Sequence, residues 1–251
     1  MLVSLKHILA LGILVSSTSA LASTYTADFS GVNSSNTSYS SFSYSVGGVN
    51  MTMTAWSDTE NNLSNNDTEL ESGRLVRYGS GWGVVNQDES SGNSPDHSMD
   101  NMGNWVDFDM ILVSFSEAVT LTGANFSWLY NTSQTEISVA AISGAVASGL
   151  GGSTWSDVVN SAGNMWSDSS HVSNYYAGIN AGQTASQYWL VGAYNSIFNT
   201  TFSGGSTQND GIKLSSIDFN VTSSDIPEPQ TALIMAAGLF ALILRRRKQI
   251  S

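Results

Sequence analysis

The sequence predicts an all-β protein, an antiparallel β-sandwich of jelly-roll type, and three observations carry that expectation. Apolar residues recur with a period of two in many short segments. Stretches rich in Gly, Ser, Asn and Asp, the residues of turns, separate those segments. Between the two ends only Thr154–Ala162 has helical character, so the strands must bury their apolar faces on one another, sheet on sheet.

The elements follow in order. Phe42, Tyr44 and Val46 alternate with serines, Gly47-Gly48 supplies a turn, and Val49, Met51, Met53 and Ala55 alternate again, the pattern of a hairpin with one buried face. Further strands are expected at Leu75–Tyr78, Val106–Phe115, Val119–Leu121, Ala124–Leu129, Ile137–Ala141, Tyr188–Ala193 and Ile212–Val221. The last should break at Ser215-Ser216. No fixed-period repeat interrupts the series, and the strands define one domain over residues 23–222.

The two ends have a different character. MLVSLKHILALGILVSSTSALA sets Lys6 and His7 before an apolar run, then small residues with Ala20-Leu21-Ala22 in the A-x-A cleavage pattern. Residues 1–22 therefore read as a signal peptide, removed by signal peptidase to leave a mature chain starting near Ser23. At the other end, IPEPQTALIMAAGLFALILRRRKQIS holds an apolar helix at about 231–244, or roughly 21 Å against about 30 Å of hydrocarbon. That length suits a transient span of the inner membrane, with the arginines on the cytoplasmic side and the body outside.

Pro227-Glu228-Pro229, an apolar helix and Arg245-Arg246-Arg247, over residues 226–251, closely resemble the PEP-CTERM sorting signal of Gram-negative bacteria. The same segment is also known as the ice-binding protein C-terminal domain. The resemblance implies recognition by exosortase, a membrane-embedded cysteine protease, cleavage near the prolines, and passage of the body to the cell surface or extracellular matrix. The helix-averse prolines suit a protease-accessible segment. The body has no flat Thr-x-Thr array, so ice binding is not expected.

A second resemblance lies in the middle. GWGVVNQDESSGNSPDHSMDNMGNWVDFDMILVSFSEAVTLTGANFSW, followed by QYWLVGAYN and DGIKLSSIDF, looks like the conserved block of a family of exosortase-dependent surface proteins. That family has no settled molecular activity, so the likeness implies a location rather than a chemistry.

Charge narrows the partners. Of 8 Lys and Arg, only Arg74, Arg77 and Lys213 lie in the body, against nearly all of the 20 acidic residues. Such a surface repels phosphate backbones, which excludes nucleic acid as a partner and favours divalent cations. With 0 Cys, the body must hold by its core or with a metal.

Three kinds of site merit weighing. Asp88, Glu89, Asp96, Asp100, Asp107 and Asp109 fall within about 22 residues, and carboxylates gathered in a loop are what Ca²⁺ requires. Asp96, Asp100, Asp107 and Asp109 are the candidate ligands of a structural Ca²⁺, the one candidate cofactor; the alternative is a solvated acidic loop with Asx-turns. Asp107 and Asp109 share a strand face and would repel without a cation or donor between them. Catalysis has little support: no G-x-S-x-G elbow occurs, His97 and His171 are the only body histidines, and His97 reads as a turn residue. Of the 7 tryptophans, Trp128 and Trp189 read as core, while Trp82 and Trp155, flanked by Gly and Ser, read as exposed platforms for sugar rings. The sequence thus predicts a non-enzymatic surface or matrix protein of structural or adhesive role, as in biofilm, with a module for matrix polysaccharide as the alternative.

Overall fold

The computed structural model describes residues 22–31, 37–58, 68–79, 81–87, 97–102, 107–179, 181–182, 184–206, 208–222, 234 and 237–238. The chain divides into a body, Ser23–Val221, and a unit formed by Met1–Ala22 with Thr222–Ser251. Residues 1–21 of the expected signal peptide lie outside the described residues. Of the apolar segment at 231–244, Ile234, Ala237 and Gly238 are described, each in helical conformation. Among the described residues no helix is long and apolar enough to cross a membrane.

The body is antiparallel throughout its described ladders. Its first strands are β1 (Ala22–Asp28), β2 (Ser38–Tyr39), β3 (Phe42–Val46), β4 (Val49–Asp58) and β5 (Leu70–Ser72). Next come β6 (Arg74–Tyr78), β7 (Gly81–Val85), β8 (Met99–Asp100), β9 (Met110–Leu129) and β10 (Glu136–Ile142). Two short helices, α1 (Gly144–Ser148) and α2 (Trp155–Asn160), precede β11 (Asn164–His171), β12 (Tyr176–Gly178), β13 (Ser186–Ala193) and β14 (Gly211–Thr222). The expected hairpin is β3–β4, turning on Gly47 and Gly48 at φ +61° and +85°, a geometry glycine adopts at little cost.

β9 organises the rest. The alternation predicts three strands where the structure has one of 20 residues. Its first half pairs with β4 on one edge and β13 on the other. Its second half pairs with β14 and β12. Between the halves Ser116, Glu117 and Ala118 are exposed, and the strand passes from one layer to the other there rather than turning back. Ser116 is fixed at the passage, its hydroxyl accepting from the Asn50 N–H and its carbonyl from the Gln187 carboxamide.

Packing follows from this path. Ile111, Val113 and Phe115 of β9 join Met51, Met53, Val139, Trp189 and Val191 in a core shared with Phe126, Leu214, Ile217 and Phe219 of the other layer. The intervening residues Met110 and Leu112, with Ala140, Ile142 and Leu190, enter a second core closed by Leu150, Trp155, Val158 and Phe198. The β13, β10 and first-half β9 part of this layer is therefore buried on both faces, which explains why these strands read as apolar runs while β4 alternates. Helix α2, predicted at Thr154–Ala162, supplies part of that lid. Its N-terminus is a capping box, with Thr154 Oγ1 accepting from the Asp157 N–H while Asp157 accepts from the Thr154 N–H. α1 was not legible as a helix; the Ser143 cap and an Ala/Val/Gly sequence specify only five residues.

The break expected at Ser215-Ser216 is a bulge. Register to β9 shifts between Leu214 and Ser216, and the Ser215 carbonyl accepts instead from the Phe29 N–H beyond β1. One tight place tests the two-faced packing. A β-carbon on Gly192 of β13 would lie 2.2 Å from the Asp109 carbonyl oxygen and 2.6 Å from Met110 Cγ. Gly192→Ala should lower stability by about 2–3 kcal/mol in urea denaturation, whereas Gly31→Ala, with nothing within 4 Å, should leave the midpoint nearly unchanged.

Candidate functional site

The acidic stretch of the sequence gathers at one corner of the body. Asp107 and Asp109 run into β9, Asp100 lies in β8, and Asn86 follows β7. Asp109 is buried and Asp107 nearly so. The sequence puts Asp107 and Asp109 on one strand face, but they precede β9; the donor beside both is Asn86, whose Nδ2 lies 3.3 Å from Asp107 Oδ2 and 3.5 Å from Asp109 Oδ1. The Asp100 N–H donates to Asp109 Oδ2 at 3.3 Å. Asp100 itself accepts from the Ser98 hydroxyl and the Met102 N–H, an Asx-turn. Protein donors thus meet these carboxylates, and among the described residues no three acidic or imidazole groups are placed to hold a metal ion. Asp96, with Asp88 and Glu89, lies outside the described residues.

Beside this corner sits a carboxyl that sequence reasoning missed. Asp58, the last residue of β4, is 1% exposed, and its Oδ1 accepts from the Phe108 N–H. Burial pushes its pKa up to about 8, and neighbouring Asp107 adds to the rise. The Trp155 indole offsets a little of this, although neither Asp58 Oδ2 nor Trp155 Nε1 completes a hydrogen bond among the described residues.

A second buried carboxyl joins distant strands. Asp210, just before β14, accepts from the Glu136 N–H and the Asn101 carboxamide, each at 2.8 Å, and its own N–H donates to Asn101 Oδ1. Burial raises its pKa to about 7, with Glu136 contributing. Glu136, 2% exposed, meets exposed His171 at 3.1 Å, and the His171 ring packs against Phe202. Neither carboxyl had a sequence signal of its own, because an isolated Asp looks alike whether it caps a turn or lies buried. His97 takes the turn expected of it, at φ +56°.

The expected exposure of Trp82 and Trp155 is overturned. Trp82 and Trp155 are both fully buried, so neither can stack on a sugar ring. Trp82 packs against Phe42 and Tyr39 with the Arg77 guanidinium over its ring, and Trp155 packs against Phe198. Their small neighbours reflect close packing rather than loop exposure: a β-carbon on Gly83 would lie 1.8 Å from the His97 carbonyl oxygen. Trp189 is core, as expected, its indole N–H shared between the Val119 and Ser186 carbonyls. Trp128 is not; it is 36% exposed, because the bulge in the β9–β14 ladder turns it to the outer face beside Lys213. Trp128, Tyr130, Tyr175 and Tyr176 are, with Met165, the exposed large hydrophobic side chains among the described residues of the body.

A shallow depression of about 260 Å³ lies between α1 and α2, lined by Val146, Val158 and Asp157 among others. Asp157 there is committed to the capping box.

Residues 225–248 match the PEP-CTERM protein-sorting motif. This segment contains Pro227, Glu228, Pro229, Arg245, Arg246 and Arg247, all outside the described residues. No curated protein matches the chain, and no solved structure matches it.

The buried carboxyls set a pH dependence. The native state holds protons on Asp58 and Asp210 that the unfolded chain releases above about pH 4, so the native state binds more protons between there and pH 7–8. Stability contributed by these groups is fully present below the unfolded pKa and is lost as pH rises through the folded values, at up to about 1.4 kcal/mol per pH unit for each group. Asp58→Asn should flatten the fall of denaturation midpoint between pH 5 and about 8; an unchanged profile would place the proton elsewhere.

Proposed function

We propose that this chain, which carries a PEP-CTERM sorting motif, is an exported surface or matrix protein whose body has a structural or adhesive role rather than a catalytic one. The motif at 225–248 carries the reading, since it implies export and surface sorting in Gram-negative bacteria and processing by exosortase. The acidic charge of the body disfavours nucleic acid as a partner. Its buried carboxyls support a non-catalytic role: Asp58 and Asp210 accept main-chain hydrogen bonds that join separate strands, and Asp210 and Glu136 both serve one such junction. A module for matrix polysaccharide is the second reading, favoured by the exposed aromatic set rather than by Trp82 or Trp155.

Mass spectrometry of the protein recovered from its host tests the reading. The expected product begins near Ser23 and ends near Pro227–Pro229. Replacing Pro227, Glu228 and Pro229 together with alanine should leave an unprocessed C-terminus in the membrane fraction. Recovery of full-length polypeptide from the cytosol, with Met1 and Ser251 intact, would overturn it.

A further inference from the structure

We propose that the outer face of the β9–β14–β12 layer is a binding site for a neutral polysaccharide chain, with Trp128, Tyr130, Tyr175 and Tyr176 as its stacking residues. The inference rests on the extracellular reading only for its choice of ligand; the surface itself is argued from the fold.

The register places the site. Leu214 and Phe126 face the shared core, so Trp128 and Asn125 lie on the opposite side of the sheet, over the buried partners Lys213 and Ser216. Trp128 packs edge-on to Tyr130 at 6.3 Å, with the Lys213 ammonium over the Trp128 ring at 5.3 Å. Further along, Tyr176 pairs with Asn125, and its ring lies over Gly123, the residue opposite Asp218. Asn125, opposite Tyr176, is three residues from Trp128 along β9, about 10 Å at about 3.3 Å per strand residue. Beside the aromatics run hydrogen-bonding groups: Asn125 bonded to the Ser216 hydroxyl at 2.9 Å, and Asp218 accepting from Thr26 at 2.6 Å.

The backbone supplies a second, independent observation. Ser173 and Tyr176 exchange main-chain hydrogen bonds around Asn174 and Tyr175, which have φ of +51° and +64°, the values of a type I′ hairpin turn. The second central position of such a turn favours glycine, and a bulky residue there is strained. Here it is a tyrosine, 44% exposed, whose side chain therefore gains little from burial. Its carbonyl accepts from the Phe126 N–H, which ties the turn to β9 two residues from Trp128. Strain retained at an exposed aromatic is explained by what the ring meets outside the chain.

The chemistry selects the occupant. A sugar ring has an apolar C–H face that stacks on aromatic rings and hydroxyls that pair with amide, hydroxyl and carboxylate groups at its edge, which is the combination this face offers. A nucleic acid or an anionic lipid surface would need several cations. The face carries Lys213, 6% exposed and folded over Trp128, on a strongly acidic body. A neutral chain meets no such penalty.

The test uses mature protein purified from its host, run in native gels containing hydroxyethylcellulose, galactomannan, soluble starch or polygalacturonate. At least one neutral polymer should retard it. Trp128→Ala and Tyr176→Ala should each weaken the apparent affinity about tenfold, and Met165→Ala should not. Tyr175→Gly is decisive, because it should weaken retardation while raising the melting temperature by relieving the turn. No retardation by any neutral polymer, retardation by polygalacturonate alone, wild-type behaviour of the aromatic variants, or a lowered melting temperature for Tyr175→Gly would each overturn the proposal. A correctly processed protein that binds none of the polymers would sink this site and leave the surface reading intact.

Discussion

The structure depends on β9 being buried in two different ways along one strand. From Met110 to Val113 every side chain is enclosed, alternate residues entering two separate cores. Past the exposed Ser116–Ala118 step, Val119, Leu121, Ala124 and Phe126 reach only the shared core. A strand that changes layer must be buried on both sides while it is central and on one side once it leaves, and the rest of the chain is arranged to satisfy that. β4, β13 and β10 flank the first half, α1, α2 and the 195–198 turn lid its far face, and β14 with β12 flank the second. Removing the lid would expose Met110, Leu112, Ala140, Ile142 and Leu190 to water at about 25 cal/mol per Å².

Without disulfides, polar groups make the long-range ties. Asp210 holds β10, the 101 turn and β14 together, and Asp58 holds the end of β4 to the entry of β9. Arg77 does the same with opposite charge: it is 1% exposed, and its guanidinium donates to the Phe29, Ser30 and Gly79 carbonyls. Burial lowers its pKa, with Asp28 opposing the fall. These bonds cost desolvation and return it only where every acceptor is met, so they fix which strands neighbour one another more than they add stability.

The strands were legible where one face is wet. β3, β4 and β14 lie close to their expected positions because alternation with polar residues marks them directly, whereas β10 and β13, enclosed on both faces, stand out as apolar runs. β7 and β11 were missed: GWGVV is apolar or glycine throughout and NMWSDSSH is largely polar, so neither shows a period. Glycine was the most misleading signal. Around Trp82 it suggested a loop, whereas its lack of a side chain lets the His97 backbone pass against β7. The exposed aromatics hid for a related reason, since a bulge reverses the inward-outward count and Trp128 sits just past one. Tertiary hydrogen bonds to Asp58 and Asp210 leave no local trace at all.

The pairing of β14 has a mechanical consequence. This strand ends at Thr222, where the body gives way to the sorting segment, and it is bonded to β9 along its length and to β1 beside it. Thr24–Asn220 and Thr26–Asp218 contacts reinforce the β1 side. Inter-strand bonds lie across the strands, so tension applied at residue 222 along β14 loads them in parallel as shear instead of peeling them one at a time. A body drawn taut by its C-terminal end would resist through the whole ladder at once.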